Sequence, residues 1–519
     1  MYETRRRSNP NLLSDVYDAP RWERVMGHAT ICLSRISLQL CWDGFLAFQQ
    51  GVDCSLKPLE FMILSLPPHL RVKARHMLLL MLIPSSLKAK ESRKYLDWAA
   101  DFEINDLHIH GIDGVRVIVY ATSLDSPGRA ELLCMQNHGA IYGCPYCQIA
   151  FDPGLTTKPV FASYRRFLPL RHPWRQRRFV VDGYEYQFSN VERRLPPEPR
   201  SVTSTLEGVG LATASKPFRG HKEAPLLSRW ASFSWDMNPS DVMHDLKSVC
   251  QMLLKILVGK GSHGMYEHWN RDGQHRAFCR VMDIFPQVHD ERNPLPWRLS
   301  REAVSILNSR VAKIWWPHYM DILCKNGYSF FKKSHVMWKA RHKSLILMVI
   351  LPTCLRGYVP AVHRALLTLI YALRQLEGQV ISKSEAERLN VVPGSVILDR
   401  KILNRLHLEV IKGLVMLEGS LPPCHLNPLL HRLVHYVEQT ALFGCLLWFA
   451  MYAFERYNKL IKGLVKNRKH PMASIATNIK TEIASRYLDM TTEVEDKDTR
   501  TCVLVGKSKI YKFVLTLYV

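Results

Sequence analysis

Leu124 to Cys147, LDSPGRAELLCMQNHGAIYGCPYC, decides how the chain is read. It follows Gly114-Val115-Arg116-Val117-Ile118-Val119-Tyr120, whose β-branched and aromatic content predicts a buried central strand. Asp125 then falls at or just beyond the strand's C-terminal end, with Ser126-Pro127-Gly128 turning the chain. A carboxylate delivered there suits a hard divalent cation, which takes oxygen ligands.

The cysteines carry a second message. Cys144 and Cys147 enclose two residues, a spacing that lets two thiolates bind one tetrahedral Zn²⁺ and equally suits an unrelated buried pair or a redox motif. Zinc needs two more ligands. His431 and His435 stand four apart, on one face of a helix, and the next notable acid is Glu455.

In order along the chain, Ile36 to Asp43 alternates as a strand that ends on an acid. Leu56 to Leu66 predicts a second strand, Lys73 to Ile83 a third strand or a buried helix, and Glu91 to Phe102 a helix on the sheet. Asp43 in Trp42-Asp43-Gly44-Phe45, Asp125 with its C-x-x-C, the H-x-x-x-H pair and Glu455 in Phe454-Glu455-Arg456-Tyr457-Asn458 together resemble the transposases of CACTA (En/Spm-type) DNA transposons. Their DDE core is similar to that of the V(D)J recombinase catalytic subunit. Leu66-Pro67-Pro68-His69-Leu70-Arg71, Asp241-Val242-Met243-His244 and Trp338-Lys339-Ala340 fit the same pattern. The resemblance runs from about Asp18 to about Leu488, with its motifs in order.

The resemblance implies an α/β fold: an RNase H-like mixed sheet with a long α-helical insertion before the last catalytic helix. Asp43, Asp125 and Glu455 would hold two Mg²⁺ (or Mn²⁺) ions about 4 Å apart, for strand cleavage at transposon ends and transfer into target DNA. Cys144, Cys147, His431 and His435 would bind one structural Zn²⁺, which cannot be catalytic because four protein ligands leave no open position. The implied partner is double-stranded DNA, bound by a homodimer or higher oligomer in the nucleus.

Composition agrees with these readings. Lys and Arg number 70 against 46 Asp and Glu, a net charge of +24 that suits a polyanion, though charge alone also fits a solvated basic surface or acidic lipid. Thirteen scattered cysteines and a start without an apolar h-region point to a reducing compartment. The longest uncharged apolar run, Gln439 to Phe454, is short of the ~20 residues that span a bilayer and predicts a core helix, with no membrane partner. Arg5-Arg6-Arg7 could serve a nuclear signal or simply be a solvated start. No GxxxxGK[ST] loop is present, so nucleotide hydrolysis has no support.

The expected organisation is a lead-in segment over 1–30, the first part of the core over 31–150, a mainly helical insertion over 151–420, the histidine pair and catalytic helix over 421–490, and a tail over 491–519. In the insertion, Val242 to Val258, Arg301 to Met320, Ser344 to Leu355 and Val362 to Leu376 have the clearest helical periodicity. Arg171, Arg175, Arg177 and Arg178, interleaved with Trp174, Phe179, Tyr184 and Tyr186, form a candidate nucleic-acid surface or an exposed connector. Lys459, Lys462 and Lys466 share a helical face with Glu455 and are further candidates for DNA contact. Asp241 and His244, three apart and facing the same way, allow a metal or catalytic role but read rather as a helix N-terminal acid beside a buried histidine, and Trp315, Trp316 and Trp338 read as core. Two alternatives stand beside the enzyme: a domesticated, non-catalytic nuclear DNA-binding protein, and a zinc-stabilised scaffold for protein interactions.

Overall fold

The computed structural model describes the chain apart from residues 1–10, 27–34, 47–54, 101–106, 110–111, 153–158, 213–215, 259–296, 316–330, 332–337, 392–395, 422–424 and 496–519, and the positions 86, 88, 189, 390 and 468. Arg5-Arg6-Arg7 and Trp316 lie outside the described residues.

The fold is mixed α/β. Its main sheet comprises β1 (Arg35–Trp42), β2 (Phe45–Leu46), β3 (Ser55–Ile63), β4 (Met77–Pro84), β5 (Leu107–Ile109) and β6 (Ile112–Ser123). The strand order is β2-β3-β1-β6-β5, and β4 pairs with β3. β1 runs parallel to β6, with Cys41 opposite Ser123, and antiparallel to β3, with Cys41 opposite Glu60. Alternation along β1 explains why both sheet faces are covered. Leu38, Leu40 and Trp42 enter one apolar cluster with Leu59, Phe61 and Leu96, while Cys41 enters another with Phe449, Phe454 and Tyr457. Leu96 lies on α1 (Ala89–Ala100).

The helical part begins beyond α2 (Ser126–Leu132) and has its own core. It holds α3 (Val202–Leu211), α4 (Val242–Val258), α5 (Arg301–Ala312), α6 (Pro360–Leu376) and α7 (Leu403–Ser420). Gly413 permits a close crossing of α6 and α7, since a Cβ there would sit 2.8 Å from Cβ of Leu369. The chain then enters α8 (Pro428–Arg432), α9 (Tyr436–Phe443), α10 (Tyr452–Gly463) and α11 (Pro471–Glu495).

Several expectations change. The run Gln439 to Phe454 is not one helix: α9 ends at Phe443, Gly444 adopts φ +86°, a short 3₁₀ turn covers Leu446–Phe449, and the axes before and after differ by 93°. Among the described residues no single helix is long and apolar enough to cross a membrane. The lead-in segment carries a helix over Pro20–Met26 and is packed onto the rest of the fold. Leu12–Leu13 pairs with Val396–Asp399, Asp15 and Arg71 form a buried two-pronged ion pair with both N···O distances 2.8 Å, and Arg21 is buried against Asp236, Ser234 and the carbonyl of Tyr120. Helix α11 runs to Glu495, past the start expected for the tail.

Finally, Trp315 is 83% exposed rather than core, because α5 ends at Ala312 and leaves the indole beyond the packed turns. The Arg-rich stretch is also more than a connector. It folds around a hairpin, Arg178–Val181 with Tyr184–Gln187, and a stack of Trp174, Phe179, Tyr186 and Phe188 whose neighbouring centroids lie 4.6 to 5.7 Å apart.

Candidate active site and metal centre

The parallel pairing of β1 with β6 sets the geometry of an acidic pocket. Asp43 follows the last residue of β1, Asp125 stands two residues beyond β6, and the register brings both strand ends to one level. The expected turn after Asp125 is the first turn of α2. Asp125 caps it, its Oδ1 accepting the Gly128 N–H at 2.7 Å, which leaves Oδ2 for a cation. Gly128 lets α2 approach β1, because a Cβ there would meet the Trp42 carbonyl oxygen at 2.7 Å.

Glu455 stands in the first turn of α10, near enough for its charge to act on Asp43. The bend at Gly444 redirects the chain. Ser123 Oγ then donates to the Phe449 carbonyl, and the Met451 N–H donates to Asp241 Oδ1 at 3.3 Å, fixing the start of the helix against β6 and α4. The Glu455 side chain is half exposed, and its Oε1 lies 3.6 Å from His244 Nε2. On the other side of the ring, His244 Nδ1 is hydrogen-bonded to Asp241 Oδ2.

Asp241 does cap α4, accepting the Met243 N–H at 3.1 Å. His244, however, faces the acids and is not simply a core residue. The D-x-x-H spacing placed the two on one helical face, but which neighbour that face meets depends on the tertiary fold.

Electrostatics show how closely the groups interact. Burial, followed by the field of Asp125 and those of Glu455 and Asp241, pushes Asp43 up to about 7 against the opposing effect of His244. His244 is itself raised: burial acts downward, and the hydrogen bond and charge of Asp241 outweigh it. Such a surplus of carboxylate is relieved by bound cations.

The pocket is less gathered than the second centre. Among the described residues, Cys144, Cys147, His431 and His435 form the group whose ligand atoms already lie within 4.8 Å of one another. All four are buried. The separations are 3.6 Å between the sulfurs, 3.3 Å between the two Nε2 atoms, 3.6 Å for Cys144 Sγ to His435 Nε2 and 3.3 Å for Cys147 Sγ to His431 Nε2. A tetrahedron with zinc–sulfur bonds of about 2.3 Å and zinc–nitrogen bonds of about 2.0–2.1 Å has edges of roughly 3.3–3.8 Å. The donor set, its number and its edges fit zinc.

The surroundings brace these ligands. The Tyr146 N–H points at Cys144 Sγ at 3.5 Å, and Arg200 Nε donates to the carbonyls of Cys144 and Cys147 at 2.8 and 3.1 Å. Glu438 lies 3.5 Å from His435 Nδ1, holding the ring so that Nε2 faces inward. His431 is enclosed by Phe151, Phe161 and Phe167.

The candidate DNA contacts separate into two kinds. Arg171, Arg177 and Arg178 are exposed on and around the hairpin, Lys459 and Lys466 are exposed beyond Glu455, and Lys462 is partly so. Arg175 does not belong to this surface. It is 3% exposed and donates to the carbonyls of Arg165, Arg166, Leu168, Glu192 and Arg194, so its guanidinium serves the fold and has no face left for phosphate. Arg–aromatic interleaving does not distinguish a buried guanidinium from a surface one.

Comparison with known families supplies one match: residues 394–502 fit a family described as "Domain of unknown function (DUF4218)", a domain found in plant transposase-like proteins. The matched stretch contains His431, His435 and Glu455. No curated protein matches the chain.

Proposed function

We propose that the chain is a DDE transposase with an RNase H-like core, catalysing metal-dependent DNA cleavage and strand transfer at transposon ends. One observation supports the reading: two aspartates leave adjacent parallel strands at the same level, and Glu455 is near enough to act on Asp43 and lies 3.6 Å from His244. Asp43, Asp125 and Glu455 would hold two Mg²⁺ or Mn²⁺ ions, which supply activation of the attacking oxygen and stabilisation of the leaving one.

The chain's own residues prepare the site. Asp125 is oriented by the Gly128 N–H, Glu455 is placed by the anchored start of α10, and the Asp241–His244 pair supplies a counter-charge to Glu455. Lys459 and Lys462 continue from Glu455 along α10, and Lys466 follows beyond its end at Gly463; together they offer a path for the phosphate backbone, with Arg171, Arg177 and Arg178 as a second basic surface. Cleavage breaks a P–O bond by attack of water and leaves a 3′-hydroxyl; transfer repeats the displacement with that hydroxyl attacking a target phosphate. Double-stranded DNA as partner, a homodimer or higher oligomer on it, and a nuclear location belong to the same proposal.

The test is cleavage of candidate transposon ends by the full chain with Mg²⁺ or Mn²⁺, beside Asp43→Asn and Asp125→Asn. Metal-dependent cleavage lost in both variants is the expected result. Salt-sensitive DNA binding without cleavage would make the chain a domesticated DNA-binding protein, and no salt-sensitive binding would leave the scaffold reading.

A further inference from the structure

Each zinc-ligating segment carries a neighbouring side chain that reaches toward the acidic pocket. Arg432 follows His431, is 5% exposed, and its Nη1 donates to Asp245 Oδ1 at 2.7 Å and to Ser126 Oγ. Tyr436 follows His435, and its hydroxyl donates to Asp245 Oδ2 at 3.2 Å. Tyr146, between the two cysteines, meets Ser240 Oγ at 3.1 Å through its hydroxyl. The partners are just as consistently placed in sequence: Ser126 adjoins Asp125, Asp245 adjoins His244, and Ser240 adjoins Asp241.

We propose that Arg432 is a positioning residue, which transmits the fixed geometry of the Cys₂His₂ centre to the Asp125 end of the acidic pocket through Ser126 and Asp245. This rests on the metal-binding role given to the acids above. The physical case starts from cost. Taking both charges of the Arg432–Asp245 pair out of water is expensive, so a buried pair of this kind is a poor source of stability and a good source of registry. One guanidinium nitrogen spans two elements, the first turn of α2 and the first turn of α4, while its backbone is held one residue from a zinc ligand. A shift of α8 would therefore move Ser126, and with it the capping carboxylate of Asp125. The zinc centre would thus set the position of the second acid as well as the approach to Glu455.

The test measures Mn²⁺ affinity of the zinc-loaded full chain by electron paramagnetic resonance, with zinc content read in parallel. Ser126→Ala removes one end of the contact while sparing the buried ion pair. Arg432→Met combined with Asp245→Asn removes the pair without stranding a charge. Both should keep their zinc and weaken Mn²⁺ binding by about tenfold, the low end of the loss that follows removal of a group supporting a metal ligand. Arg432→Lys should recover part of the affinity in place of Met. Should the double variant fail to fold, Ser126→Ala decides alone. Unchanged Mn²⁺ affinity with zinc retained would overturn the inference, and so would loss of zinc from Ser126→Ala, which would place the effect at the zinc site. Absence of Mn²⁺ binding by the wild type is a separate result, which removes the proposed function and this inference with it.

Discussion

Gly128 faces the carbonyl oxygen of Trp42 so closely that a Cβ on it would lie 2.7 Å from that atom. The contact holds the first turn of the helix capped by Asp125 against the strand that delivers Asp43. Gly128→Ala must push the two apart, since the obstructing atom is backbone. Helix propensity favours Ala by up to about 1 kcal/mol and partly offsets the overpacking cost of about 1–3 kcal/mol. Thermal stability should therefore fall only modestly. Cleavage should fall on the order of 100-fold, as expected when reacting groups are displaced by about 1 Å. Melting curves and single-turnover cleavage rates check this, and an Ala variant with wild-type rates would show that the close approach does not matter to catalysis.

Glu455→Gln separates charge from shape. The side chain is half exposed and its ion pair is with His244, so unfolding free energy should change by no more than about 0.5 kcal/mol. Strand cleavage should be abolished, because a neutral amide is a poor ligand for a hard cation, while DNA affinity stays near wild type. A gel-shift titration beside a cleavage assay measures both. Joint loss of binding and of stability would mean that Glu455 serves the fold.

The two strands that deliver Asp43 and Asp125 were legible because alternation and β-branching act within the strand itself. The Cys₂His₂ cluster was legible for a similar local reason: Cys144 with Cys147, and His431 with His435, each carry half of the geometry in their own spacing. What stayed hidden depends on neighbours far away in the chain. The apolar run from Gln439 to Phe454 has the composition of one helix, and nothing in its hydropathy shows that Gly444 takes φ +86° and bends it. Leu12 and Leu13 are too short a run to announce a strand, and become one only because Val396–Asp399 is there to pair with them. Arg175 and Arg171 look alike in sequence, yet one is buried among carbonyls and the other exposed.

Zinc should hold the two ends of the helical region together. Cys147 and His431 are 284 residues apart in the chain, so losing the metal releases a very long closed loop. Cys144→Ser leaves three ligands in a buried site and should lower zinc content, melting temperature and cleavage together. Cys354→Ser, at a buried cysteine outside the cluster, should keep its zinc. Metal analysis by inductively coupled plasma spectrometry decides the matter, and wild-type protein purified without zinc would refute the site.

Glu60 gives the stability of the chain a pH dependence of definite sign. It is fully buried opposite Cys41, and among the described residues neither carboxyl oxygen has a hydrogen-bond partner. Burial, and then the charge of Asp43, raises its pKa well above the ordinary value of 4.5. The folded state therefore holds a proton that the unfolded chain releases. The contribution of this group is fully present below about pH 4.5, and is lost at about 1.4 kcal/mol per pH unit as the pH rises from there toward the folded pKa. Glu60→Gln keeps the shape and removes the titration. The variant should gain stability relative to wild type as the pH rises above about 5, while near pH 4 the two should differ little. Glu418, pushed up to about 7, adds a slope of the same sign that the comparison cancels. Urea unfolding of both proteins at a series of pH values measures the difference directly. A gap between them that stays constant from pH 5 to pH 8 would show that Glu60 is ionised in the folded protein, with a cation or water supplying the missing partner.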